Sequence, residues 1–95
     1  MNFLEKLDFT ADDIAEVLDN TPDKLLELLK SQKKLVSENI EYLKNLGVRN
    51  YQEIFIRYYD MFLMDNSNFK DIFSKYDPTD LVEKLSKNIN IIEFL

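Results

Sequence analysis

Any chemistry in this chain has to come from carboxylates, amines, phenols and hydroxyls, because its 95 residues include no histidine and no cysteine. That excludes a Ser-His or Cys-His nucleophile, an imidazole base and an ordinary zinc site. A single glycine likewise rules out a glycine-rich phosphate loop. The remaining acid pairs, Asp12 with Asp13 and Asp77 with Asp80, each fall in the first turn of an expected helix, where a carboxylate complements the helix dipole. Capping accounts for both pairs better than acid–base catalysis does. The stretch "DNSNFKD" at 65–71 has the oxygen ligands of a calcium loop but lacks its turn glycine and its terminal glutamate at the required spacing. The chain is therefore expected to be non-enzymatic, with no catalytic residue, cofactor or metal.

Three groups of residues are suited to binding. Asp12, Asp13, Glu16 and Asp19 recur at helical spacing and form an acidic strip, a candidate surface for a basic protein partner. On the same helix Ile14, Val17 and Leu18 are expected to point inward. Lys30, Lys33, Lys34, Lys44 and Arg49 gather mid-chain, between an N-terminal segment with seven acids in its first 23 residues and an acidic C-terminal half. They are the alternative, a set of phosphate contacts. The third group, Ile56, Tyr59 and Leu63, lies in "YQEIFIRYYDMFLM" at 51–64, which holds five aromatic residues. As one helix this stretch carries an apolar arc of about 220°, well beyond the roughly 100° that an edge helix needs. It is expected to be a central helix contacted from two sides, with Ile56, Tyr59 and Leu63 forming a shoulder. That shoulder is either covered by the apolar end "INIIEFL" or exposed as a docking surface.

Apolar residues recur every three or four positions almost throughout, and no Asn-Gly or Asp-Gly hairpin signal occurs. The expected class is all-α, a small bundle or short solenoid of helical hairpins in one domain, with about six to eight short helices. Helices are expected near 2–7, 11–19, 22–31, 34–46, 51–64, 68–75 and 78–87, with a last turn at 91–95. The register of Leu25, Leu29, Val36, Ile40 and Leu43 also allows 22–46 to be one helix. "TADD", "NYQE" and "DPTD" place an acceptor three residues before an acid, as helix starts do, and Thr21 stands before Pro22 as a further cap. Gly47 follows "IEYLKNL", where a helix ends in a left-handed residue.

The segments starting near 2, 39 and 68 can be superposed as repeat units: asparagine, a short helix, an apolar corner, then a capped helix. "IEYLKNLGVRNYQEIFIRYYDMFL", and more loosely "LDFTADDIAEVLDNTPDKLLELL", resembles the repeat of mitochondrial transcription termination factors. In that family a leucine and "LG" precede a capped helix. Here Asp8 and Asp77 stand at the glycine position of two units, and Phe62 stands near the position of the family's proline. The resemblance implies helical hairpins stacked in a curved solenoid and, in many members, nucleic-acid binding through a basic concave face.

Twelve basic residues against 18 acidic ones give a net charge of −6, which favours solubility and opposes docking on polyanions. Nucleic-acid binding is accordingly expected to be no tighter than the non-specific range of about 10⁻⁴ to 10⁻⁶ M. The N-terminus has acid where an export signal has a basic start, and the longest apolar run is "MFLM". A cytoplasmic protein with no membrane span is expected. The leading functional expectation is a helical protein–protein interaction module or small regulator. Alternatives are a nucleic-acid-binding module of the termination-factor type and a small inhibitor or immunity protein of a mobile element.

Overall fold

The computed structural model describes residues 1–95 and contains helices and connections but no strand. Seven α-helices follow one another: α1 (Asn2–Glu5), α2 (Ala11–Asn20), α3 (Asp23–Ser31), α4 (Lys33–Leu46), α5 (Tyr51–Arg57), α6 (Asn66–Ser74) and α7 (Pro78–Lys87). Two 3₁₀ segments, η1 (Tyr59–Leu63) and η2 (Ile89–Phe94), follow α5 and α7. The radius of gyration is 12.6 Å, close to the ~12.4 Å expected of a single globule of this length. These short helices therefore close on one another as a small bundle.

Local sequence sets most of the boundaries. Thr10 caps α2 in a reciprocal box: its hydroxyl accepts from the Asp13 amide (3.1 Å), and Asp13 accepts from the Thr10 amide (3.0 Å). Asp77 caps α7 by accepting from the Asp80 amide, with Pro78 in the first turn. Asp65 caps α6 through the Ser67 amide and hydroxyl, bonds that hold its carboxyl below the usual range. The segment 22–46 is two helices, broken at Gln32.

Two expected caps are absent. Asn50 makes no cap hydrogen bond; its amide donates instead to the Leu85 carbonyl, tying the start of α5 to α7. Thr21 lies outside α3, whose cap position is Pro22, and its hydroxyl is buried without a partner.

Gly47 does close α4 with a left-handed residue, φ 103°. The Val48 amide reaches back to the Leu43 carbonyl and the Gly47 amide to that of Lys44, the six-to-one and five-to-two bonds of a Schellman motif. The end of α1 has the same bonds, Phe9 to Leu4 and Asp8 to Glu5, with Asp8 at φ 67°. At the third corner, near Tyr76, Asp77 has φ −62° and no left-handed residue appears.

The expected single helix over 51–64 breaks. It stops at Arg57, and Tyr58 (φ −125°) leads into η1. Tertiary contact overrides helical periodicity here. Asn39, fully buried in α4, donates from Nδ2 to the carbonyls of Phe62 (2.9 Å) and Met64 (2.8 Å), while its Oδ1 accepts from Asn66 (2.9 Å). A buried amide without partners would be costly, and these three bonds repay its burial by holding η1 against α4. The break also turns Phe62 into the core. Rings then contact in series from Tyr51 through Phe9, Phe55, Phe62 and Phe69 to Phe73, with adjacent centroids 5.0–6.0 Å apart. Mostly edge-on or tilted, these pairs have the geometry aromatic rings prefer.

The density of aromatic residues in 51–64 therefore serves the core, with α5 held between α2 and α4. The shoulder is largely covered, with Ile56 buried and Tyr59 and Leu63 half-buried. η2 packs chiefly on α7, burying Ile89 and Ile92, and is tied to the break between α5 and η1 by the Tyr58 hydroxyl, which donates to Asn90 (3.0 Å) and Glu93 (3.3 Å).

Candidate functional site

Charge is segregated on this surface. In α2, Val17 is buried and Ile14 half-buried, so this side faces the core. Asp13 is committed to the capping box, whereas Asp12, Glu16 and Asp19 are exposed and none is in an ion pair. Leu18 departs from expectation. It is 45% exposed rather than inward-facing, lying about 100° around the helix from buried Val17. With exposed Ala11 and Ala15 it makes an apolar strip at i, i+4 and i+7 beside the carboxylates.

The basic residues divide. Lys30, Lys33 and Lys34 line a groove of about 710 Å³ between α1 and the junction of α3 with α4. Lys6, far from them along the chain, lines it too, brought there by the packing of α1 on α4. Asn2, Phe3, Ser37, Glu38 and Glu41 complete most of the wall.

Lys44 is elsewhere, about 16 Å along α4 from Lys33 at 1.5 Å per residue. Its ammonium pairs with Asp8, and this hydrogen bond raises the amine above its ordinary range. Around the same corner the Tyr51 hydroxyl donates to the Leu7 carbonyl (2.6 Å) and Gln52 donates to the Asp8 carbonyl (3.2 Å). Lys44 thus serves the fold, and Arg49, exposed beyond the Gly47 turn, lines neither this groove nor the smaller ones.

Ile56 is buried, while Tyr59 and Leu63 are half-buried. The break at Tyr58 separates them, so they do not form a continuous helical stripe. The most exposed large apolar side chain is Phe94, at 84%. No helix is long and apolar enough to cross a membrane.

Comparison with protein-family models, with curated proteins and with solved structures finds no match to this chain. The resemblance to termination-factor repeats therefore rests on the residues that carry it.

Proposed function

We propose that this protein is a non-enzymatic interaction module whose α2 docks on a basic surface of a partner protein. The exposure of Leu18 carries this reading. Isolated exposed leucines are common on protein surfaces, but this one extends a small apolar strip alongside three carboxylates that have no cation within the molecule. The helix is also fixed in advance, by its capping box and by Val17 in the core, so little ordering cost remains to oppose docking. Covering the remaining exposed part of Leu18 would supply about 1 kcal/mol. The carboxylates, standing at the rim, would act mainly on association rate and on discrimination against acidic surfaces.

The test compares the immobilised wild type with Leu18→Ala and with the triple variant Asp12→Asn, Glu16→Gln, Asp19→Asn, using extract of the source cell. A protein retained by the wild type, released by salt and lost with both variants is the expected result. All three chains should melt at similar temperatures, since the altered side chains are exposed. Equal retention by wild type and variants would overturn the proposal.

A further inference from the structure

The groove between α1 and the α3–α4 junction has a composition that the fold does not require. Four lysines line it, Lys6, Lys30, Lys33 and Lys34, and none is in an ion pair although the chain carries a net charge of −6. Glu38 stands one turn from Lys34 on the same wall but is not within bonding distance. Lys33 and Lys34 also open α4 with no acid in its first turn and no side-chain cap from Gln32. Positive charge at that end of a helix is unfavourable, and lysines gathered around one hollow repel each other. Folding alone gives no reason for the arrangement, and local rules broken without compensation tend to mark function.

We infer that this groove binds an acidic segment of a partner protein, with carboxylates of the segment on Lys30, Lys33 and Lys34 and an apolar side chain against Phe3. The volume, about 710 Å³, falls within the roughly 300–1,000 Å³ of ligand sites. The wall composition selects a peptide over a nucleic-acid strand. Glu38 and Glu41 stand among the lysines and would face an evenly spaced row of phosphates with like charge. A peptide places its carboxylates at separate positions and can turn amide donors toward the glutamates, while Asn2 and Ser37 can bond its backbone. Half-buried Phe3 gives an apolar contact that a phosphate backbone would not use. The sign of this site is opposite to that of the α2 face, so it concerns a different segment and stands whether or not α2 docks as proposed.

Fluorescence anisotropy on the full chain tests the inference. One probe is a labelled peptide of alternating aspartate and glutamate carrying a single leucine, the second its asparagine and glutamine analogue, and the third a single-stranded oligonucleotide. The triple variant Lys30→Gln, Lys33→Gln, Lys34→Gln is compared with Lys24→Gln, Lys75→Gln, Lys87→Gln, which changes the net charge equally but leaves the groove intact. The acidic peptide is expected to bind the wild type and the control variant alike, and the groove variant and the neutral analogue to be weaker by about tenfold or more. The groove variant should melt at or above the wild-type temperature, which separates lost binding from lost folding. Three results would each overturn the inference: a tighter complex with the oligonucleotide, equal peptide binding by the two variants, or no measurable binding of the acidic peptide. Concentration-dependent self-association of the wild type that the groove variant lacks would also overturn it, assigning the groove to the acidic helix of a second copy.

Discussion

The ends of α1 and α4 are built on the same backbone bonds and stabilised by different means. Leu4 and Leu43 provide the buried anchor, Phe9 and Val48 the apolar residue after the turn, and Asp8 and Gly47 the left-handed position. At Gly47 that conformation costs no steric strain, because there is no Cβ. An added Cβ would meet only Val82, at 3.9 Å, so the requirement for glycine there is conformational rather than spatial. Asp8 accepts some strain, which Asp and Asn tolerate better than most residues, and is held from outside by Lys44, Gln52 and, through Leu7, Tyr51. All three holders lie on α4 or α5, on either side of the Gly47 corner. The contrast shows that one corner is locally sufficient, whereas the other depends on the first being in place.

The largest expected effect tests what the corners share. Leu4→Ala and Leu43→Ala, both at fully buried positions, should each cost about 2–5 kcal/mol in denaturant unfolding. A marked inequality between them would show that the shared geometry hides different packing. Tyr51→Phe acts on the Asp8 corner alone. It leaves the buried Leu7 carbonyl without its donor, at a cost of about 1–3 kcal/mol.

The same variant has a signature in pH. Burial holds the Tyr51 phenol above its ordinary value, so the unfolded chain ionises first. The resulting stability is complete below about pH 10 and is lost as pH rises through the folded value. Tyr51→Phe should therefore be less stable at neutral pH yet lose less stability between about pH 9 and 11. Lys44, also raised, adds to the alkaline loss in both proteins.

Gly47→Ala comes next, with about 1–2 kcal/mol of backbone strain, and an unchanged melting temperature would contradict the role given to this glycine. The smallest effect belongs to Asp8→Asn. It keeps the tolerance of a left-handed backbone and removes only an exposed charge pair, and should move the melting temperature by about two degrees or less.

Signals carried by neighbouring residues were legible in the sequence. The Thr10 and Asp77 caps, the Gly47 turn and the all-helical class all follow from residues within one turn of each other. What could not be read depends on residues far apart. The break at Tyr58 needs Asn39, which is 23 positions from the carbonyl it bonds, and nothing inside "YQEIFIRYYDMFLM" announces it. Asn50 is a good capping residue whose amide is taken by Leu85 across the bundle. Lys6 joins Lys30, Lys33 and Lys34 only because α1 returns onto α4, whereas Lys44, a member of the same cluster along the chain, is drawn to Asp8. Leu18 fits the inward register of α2 but is left 45% exposed. A helical wheel gives the direction of a side chain and not whether a neighbour waits there.

The buried amide of Asn39 has a consequence for how the molecule opens. A 3₁₀ segment as short as η1 has little stability of its own, and its Phe62 carbonyl and the Met64 carbonyl just after it are held by one side chain of α4. That attachment closes a loop containing the Gly47 turn and all of α5. The backbone amides within the loop should then exchange with solvent as one cooperative unit with the middle of α4, on a slower schedule than the exposed α2. In Asn39→Ala the amides of η1 should become the first in the interior to exchange, and the middle of α4 should no longer keep time with them.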